Sequence, residues 1–171
     1  YIVGVDSNSN HCKEALELNI VDEIKDLKSG ILNSEVIIIA TPVVASINII
    51  KEVLDTISEQ QVVVDLGSTK KDLCVCFNKH PKRENYVAAH PIAGTENSGP
   101  KAAIKKLYKN NKVVICEKNK SSDRALSIAL EMFNKIGMST VFMTPEEHDK
   151  HLAYISHLSH ISSFALGLTV L

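Results

Sequence analysis

Three polar clusters along the sequence contain side chains that could bind a ligand or transfer a proton. They are Thr41-Pro42, the segment 65–70 (DLGSTK) and the segment 90–99 (HPIAGTENSG). Each follows a short run rich in β-branched or small apolar residues, which is typical of a buried strand. Because ligands bind at the carboxyl ends of the strands in α/β sheets, the sequence predicts that the three clusters share one crevice.

His90 is the side chain in these clusters that is best suited to proton transfer. A histidine ordinarily titrates at ~6.5 and can exchange a proton near neutral pH; the structural alternative is a buried ring bonded to the backbone. Gly94 and Gly99 favour a loop after His90 that could close over a small ligand. Ser68 could orient His90 by a hydrogen bond, or could cap a helix that begins near Thr69.

Two polar side chains have further interpretations. Ser68 could be a hydrolytic nucleophile, but the sequence lacks the G-x-S-x-G elbow that such a serine needs, which disfavours this chemistry. Glu96, in the loop after His90, could gate the crevice or orient a ligand, or could be solvated.

A fourth cluster lies near the end of the sequence and comprises His148, Asp149, Ser156, His157 and His160. His157 and His160 are three positions apart and would share one face of a helix, as a substrate- or metal-contacting edge. His148 precedes His157 by nine residues, or ~13 Å along a helix axis, so these histidines cannot bind one ion together. We therefore expect no metal site.

Asp6 closes the first apolar stretch of the sequence. In a dinucleotide-binding fold, an acidic residue at the end of the second strand accepts hydrogen bonds from the ribose hydroxyls and disfavours a 2′-phosphate. Asp6 is therefore a candidate selector of NAD over NADP, or an ordinary turn residue. The G-x-G-x-x-G fingerprint that would precede it is not contained in the sequence.

Alternating strands and helices must position these clusters. The predicted strands are 1–5, 35–40, 61–66, 86–89, 112–116 and 139–143, and the predicted helices are 10–19, 43–58, 70–78, 121–136 and 145–171. This alternation predicts a mainly parallel sheet covered by helices. The uninterrupted apolar runs 36–39 and 62–64 are expected at its centre.

Composition and charge exclude several classes of protein. The 171 residues, 44% hydrophobic and 23% charged, are typical of one globular domain. A net charge of -1 favours neither nucleic acid nor a membrane surface as partner, and no apolar run approaches the ~20 residues of a membrane span. Four cysteines without C-x-x-C spacing indicate reduced thiols and a cytoplasmic protein.

Taken together, the clusters resemble the prephenate dehydrogenase family. The resemblance is carried by segments 65–70 and 90–99 and by His148-Asp149 followed by SHLSH at 156–160, and it covers essentially the whole sequence. It implies a Rossmann-like, doubly wound, mainly parallel sheet that lacks its first strand and Gly-rich turn. Residues 1–144 would form this N-terminally incomplete nucleotide-binding domain, and 145–171 would begin an all-helical dimerisation domain that is C-terminally incomplete.

The activity implied by the resemblance is oxidative decarboxylation of prephenate to 4-hydroxyphenylpyruvate, with hydride transfer to NAD(P)⁺, in tyrosine biosynthesis. Arogenate dehydrogenase and a non-catalytic dinucleotide-binding module are the alternatives. NAD is the expected cofactor, with NADP disfavoured, and a homodimer is the expected assembly at full length. Because the Gly-rich turn and an arginine-bearing helical region are missing, we expect the 171 residues alone to bind nucleotide weakly and to be inactive.

The resemblance also assigns roles to individual residues. The implied catalytic residues are His90 and Ser68; the substrate-binding residues are Thr95, Glu96, Ser156, His157 and His160; and the cofactor-binding residues are Asp6, Thr41, Pro42 and Asp65.

Overall fold

The computed structural model describes residues 1–95 and 97–154, and strands alternate with helices along this part of the chain. The strands are β1 (Val3–Gly4), β2 (Glu23–Ile24), β3 (Val36–Ile39), β4 (Val62–Asp65), β5 (Tyr86–Pro91), β6 (Lys112–Cys116) and β7 (Ser139–Met143). The α-helices are α1 (Ser9–Glu17), α2 (Leu27–Leu32), α3 (Val43–Thr56), α4 (Lys71–Phe77), α5 (Asp123–Lys135) and α6 (Pro145–Leu152). Short 3₁₀ turns span Arg83–Asn85, Pro100–Ala102 and Lys118–Lys120.

The strands form two hydrogen-bonded groups. Strands β3 to β7 lie side by side in chain order, all parallel except for the antiparallel pair β5–β6, while β1 and β2 form a separate parallel pair. In the doubly wound order 3-2-1-4-5, strand 1 separates strand 2 from strand 4. The division between β1 and β3 therefore agrees with the expected sheet that lacks its first strand.

Helices cover both faces of the five-stranded sheet because successive strand residues point to opposite sides. One face packs against α3 and α4, through residues that include Ile50, Leu54, Val63, Leu73 and Tyr86. The opposite face packs against α5, through residues that include Val62, Val64, Val87, Ala129 and Phe133. The central strands β4 and β5 are thus buried on both sides.

The structure corrects three expectations about the elements. Strand β3 was expected at the centre of the sheet, but within the described residues it pairs only with β4, and Ile38 is 50% exposed. Strand β2 and helix α2 were not predicted, because a two-residue strand and a six-residue helix containing Gly30 are too short for a periodic apolar pattern.

The ends of the later helices follow the sequence signals. Ser122 caps α5, accepting a hydrogen bond from the backbone N–H of Ala125, and Gly137 follows that helix with a φ of +83°. Pro145 lies in the first turn of α6, which a Thr144–Glu147 capping box opens. Positions 155–171 of the helix predicted for 145–171 lie outside the described residues, and that part stays a prediction. Within the described ranges, no helix has the length and apolar character to cross a bilayer.

Candidate active site

A cleft of about 290 Å³ lies at the carboxyl ends of β3, β4 and β5. Its lining includes Thr41, Pro42, Gly67, Ser68, His90 and Ala93. The three polar clusters therefore share one crevice, as the sequence predicted. Each cluster reaches the cleft because its strand ends there.

His90 lies at the end of β5 and is held by a residue from α6. Its Nδ1 atom is 2.9 Å from Nε2 of His148, and the two rings meet edge to face with centroids 5.1 Å apart. His148 is fully buried, and its Nδ1 lies 2.7 Å from Oδ1 of Asp149. The three side chains form a continuous chain of hydrogen bonds that runs from the partly exposed Asp149 through the buried His148 to His90 at the cleft.

The surroundings of His90 keep its imidazole neutral. The pKa of His90 is lowered from 6.5 to about 4, chiefly by burial and in addition by His148 and the Lys70 ammonium, while Asp149 opposes the shift. A neutral imidazole at physiological pH has one nitrogen lone pair free to accept a proton.

Asp149 links α6 to the start of α4. Its Oδ1 accepts a hydrogen bond from the backbone N–H of Lys70 at 2.8 Å, and its Oδ2 accepts one from Lys71 at 2.9 Å. Burial raises the pKa of Asp149, but the hydrogen bonds from Lys71, His148 and Lys70 outweigh it and leave the pKa below its ordinary value. Asp149 is thus an ionised cap for a helix that lies 78 positions earlier in the chain.

Ser68 does not cap α4, which corrects one of its two predicted roles. The N-cap position is Lys70, and the capping carboxylate comes from Asp149. Ser68 is exposed and lines the cleft together with His90. His90 Nδ1 is bonded to His148, so a bond between Ser68 and the other imidazole nitrogen stays a prediction.

Asp65 lies beneath the cleft, and its contact with a cofactor stays a prediction. The side chain is fully buried; its Oδ2 accepts hydrogen bonds from the Lys70 ammonium and the Tyr86 hydroxyl. Its Oδ1 accepts the backbone N–H of Gly67 at 2.8 Å. A Cβ at Gly67 would lie 2.9 Å from Asp65 Oδ1, so only glycine fits this turn without displacement.

Lys70 is the site residue that sequence reasoning did not identify. Its fully buried ammonium donates to Asp65 and, at 2.8 Å, to the carbonyl of Ala89, the residue before His90. A buried lysine needs such a partner because an unpaired charge in the interior is costly. The signal available in the sequence was a lysine five positions after the acidic end of an otherwise apolar strand.

Helix α1 contacts both Asp6 and the loop that follows His90. Asp6 is exposed, accepts the backbone N–H of Asn8 at 2.8 Å, and lies 3.3 Å from Nδ1 of His11. A Cβ on Gly99 would lie 3.4 Å from the His11 ring, and Lys101 pairs with Glu14 at 2.7 Å. The Asp6 side chain, beyond β1, is 45% exposed, with Oδ1 bonded to Asn8 and Oδ2 close to His11.

The remaining predicted ligands are only partly described. Thr95 is exposed, with its hydroxyl accepting the backbone N–H of Asn97 at 3.3 Å. Glu96, Ser156, His157 and His160 lie outside the described residues. Across residues 1–95 and 97–154, no group of three His, Cys, Asp or Glu side chains is placed to hold a metal ion.

Comparison with protein families identifies the chain's relatives. Residues 1–153 match the family model described as prephenate dehydrogenase, nucleotide-binding domain. The chain belongs to this family. Prephenate dehydrogenases are oxidoreductases, which agrees with a strand-end cleft that contains a neutral histidine.

Individual relatives agree in sequence and fold. The chain is 30% identical over 168 residues to prephenate dehydrogenase from Bacillus subtilis, covering 96% of this chain and 45% of that protein. It matches the structure of prephenate dehydrogenase from A. aeolicus, in complex with hydroxyphenyl propionate and NAD⁺, with a TM-score of 0.87, 30% identity and coverage of 98% and 59%. Synechocystis arogenate dehydrogenase matches with a TM-score of 0.85, 25% identity and coverage of 99% and 60%. The chain therefore spans about half to three fifths of these relatives.

Proposed function

We propose that this chain is the nucleotide-binding part of an NAD-dependent prephenate dehydrogenase, which converts prephenate to 4-hydroxyphenylpyruvate and CO₂ in tyrosine biosynthesis. The observation that carries the proposal is the neutral His90, anchored by His148 and presented at a cleft between strand ends. The family match and the relatives named prephenate dehydrogenase support this choice of reaction.

In this proposal His90 is the proton acceptor. Its free ring nitrogen takes the proton of the substrate's ring hydroxyl while hydride leaves the carbon that bears this hydroxyl. The alcohol thereby becomes a carbonyl. Loss of the ring carboxylate as CO₂ then makes the ring aromatic, and the phenolic oxygen recovers a proton. Ser68, on the neighbouring strand end, orients His90 or the substrate hydroxyl, and Thr95 and Glu96 line the substrate entrance.

The described residues fit a nicotinamide dinucleotide. NAD⁺, when bound, supplies the hydride acceptor. Thr41 and Pro42 line the cleft where α3 begins, and that helix has no side-chain cap, so its first backbone N–H groups are available to a polar ligand. The exposed carboxylate of Asp6 suits ribose hydroxyls and disfavours a 2′-phosphate, which supports NAD over NADP.

The proposal extends to the complete protein. Residues 1–144 form the nucleotide-binding domain, and 145–171 begin a helical domain through which two subunits pair and to which Ser156, His157 and His160 contribute substrate contacts. Two of the four free cysteines are buried, which supports a reducing compartment such as the cytoplasm. Without the Gly-rich turn and the helical partner domain, the 171 residues alone turn over little or no substrate.

Arogenate is the second candidate substrate, because an arogenate dehydrogenase shares the fold at 25% identity. The two substrates differ at the side chain, where arogenate has an amine and prephenate a keto group, and His90 would serve both. The deciding assay follows NADH formation by the complete gene product with each substrate alone. We expect the higher kcat/KM with prephenate; a higher value with arogenate reverses the assignment, and no NADH with either substrate refutes a dehydrogenase.

A further inference from the structure

His148, from helix α6, contacts His90, and Asp149 contacts His148 in turn. His148 is fully buried, and the Asp149 side chain is 26% exposed. Its Nδ1 faces Asp149 Oδ1 at 2.7 Å and its Nε2 faces His90 Nδ1 at 2.9 Å. Each ring nitrogen of His148 is therefore committed to one partner, and the direction of one hydrogen bond fixes the direction of the next.

Asp149 sets the direction of the two hydrogen bonds that His148 makes. Its carboxylate already accepts backbone N–H groups from Lys70 and Lys71, and an ionised carboxylate can only accept. Nδ1 of His148 must therefore donate to it. In a neutral imidazole the other nitrogen then bears a lone pair, so Nε2 of His148 accepts, and Nδ1 of His90 donates. The remaining nitrogen of His90, Nε2, is left without a proton.

We propose that His148 and Asp149 are positioning residues that hold His90 in the Nδ1–H tautomer, with Nε2 bare as the proton acceptor of the dehydrogenase reaction. The proposal rests on the proposed function and adds the device that makes His90 a base. Neither residue touches the substrate; both act through His90. An imidazolium at His148 would donate in the opposite direction and place the proton of His90 on Nε2.

Lys70 connects the strand that carries His90 to the helix that carries His148 and Asp149. Its backbone N–H is held by Asp149, and its ammonium holds the carbonyl of Ala89, adjacent to His90. The strand end that carries His90 and the helix that carries His148 are thus tied to the same lysine. This connection helps to hold the two imidazoles at the separation of 2.9 Å between Nδ1 of His90 and Nε2 of His148, which is a hydrogen-bond distance.

The decisive test observes the tautomer in the unaltered complete gene product. Long-range ¹H–¹⁵N spectra of protein labelled at the histidine imidazoles distinguish a protonated ring nitrogen from a bare one, and His90→Asn identifies the signals of His90. At pH 8, where histidine is ordinarily neutral, we expect the proton on Nδ1 of His90. A proton on Nε2 overturns the proposal, whether or not any variant folds.

Kinetics of two variants provide a second test. His148→Phe replaces the imidazole with a ring of similar size that cannot accept a hydrogen bond from Nδ1 of His90. This variant should lower kcat about 10²-fold, with KM changed little, because the geometry of proton transfer is lost. His148→Gln offers an amide oxygen to Nδ1–H and should recover about tenfold of that loss. His151→Phe, an exposed histidine on the same helix, is the matched control and should keep full activity. An unchanged kcat in a folded His148→Phe protein overturns the proposal.

The two tests separate this inference from the proposed function. The tautomer is a property of the protein without substrate, so the spectrum decides it independently of turnover. Failure to oxidise either prephenate or arogenate would refute the proposed function, and the spectrum would still test whether His148 and Asp149 set the tautomer of His90.

Discussion

His90 Nδ1 and His148 Nε2 are 2.9 Å apart, although 58 positions separate the two residues in the chain. One histidine ends a central strand and the other lies in the first helix after the sheet. Their contact makes the start of α6 part of the site and gives a structural reason for the His148-Asp149 pair in the sequence.

The pH dependence of activity should reflect the lowered pKa of His90. Protonation removes the proton acceptor, so activity falls as pH drops through the pKa of the free enzyme. Because that pKa is lowered from 6.5 to about 4, kcat/KM should stay level down to about pH 5 and decline only below it. A half-maximal point near 6.5 would show that His90 titrates as an ordinary histidine or is not the base.

Ser68→Ala separates a role at the cleft from a role in helix capping. Because Asp149 caps α4, we expect the free energy of unfolding of Ser68→Ala to change by less than about 0.5 kcal/mol, while kcat/KM falls at least tenfold. Asp149→Ala is the comparison and should cost about 1–2 kcal/mol as a lost cap. Urea unfolding and steady-state kinetics measure both; a stability loss in Ser68→Ala equal to that of Asp149→Ala would contradict the structure.

Lys70→Met should be strongly destabilising. It leaves the fully buried Asp65 carboxylate without its cation, a change that typically costs about 3–5 kcal/mol. The double variant Lys70→Met/Asp65→Asn should unfold at a higher urea concentration than Lys70→Met alone, since no unpaired charge remains. Lys51→Met, which breaks the exposed pair with Asp55, is the control and should leave the midpoint nearly unchanged. Equal midpoints for Lys70→Met and Lys51→Met would refute a stabilising buried pair.

Asp6→Ala should reduce the preference for NAD over NADP. It removes both the acceptor for the ribose hydroxyls and the repulsion of a 2′-phosphate, so we expect the ratio of kcat/KM values for the two cofactors to fall at least tenfold. Asp22→Ala, whose carboxylate bonds Ile2 before β1 begins, is the matched control. If the ratio of the kcat/KM values for NAD and NADP changes equally in both variants, Asp6 does not recognise the ribose hydroxyls.

Local patterns in the sequence were sufficient to place the central sheet. Strands β4 (VVVD) and β6 (KVVIC) each contain three consecutive β-branched residues, and their predicted positions differ from the observed ones by no more than one residue at either end. The limits of helix α5 also follow from Ser122 and Gly137. These features depend on residues close in the chain, and their physical causes are therefore visible in a short window of sequence.

Contacts between distant residues were beyond such reasoning. The antiparallel pairing of β5 with β6 and the capping of α4 by Asp149 join segments whose meeting no local pattern encodes. The family resemblance implies that Asp65 contacts the cofactor, and no signal in the sequence indicated that Lys70 and Tyr86 bind its carboxylate in the interior. The sequence indicates a polar cluster that begins with His148 and Asp149. Only the fold shows that His148 contacts His90 and that Asp149 contacts His148.

The most direct test of the whole account is His90→Asn in the complete gene product, assayed with prephenate and NAD⁺ and titrated separately with NAD⁺. Loss of the proton acceptor should lower kcat by about 10²–10⁴-fold, while the Kd for NAD⁺ stays within about threefold, since no cofactor contact is removed. Turnover at the wild-type rate would contradict the account at its centre.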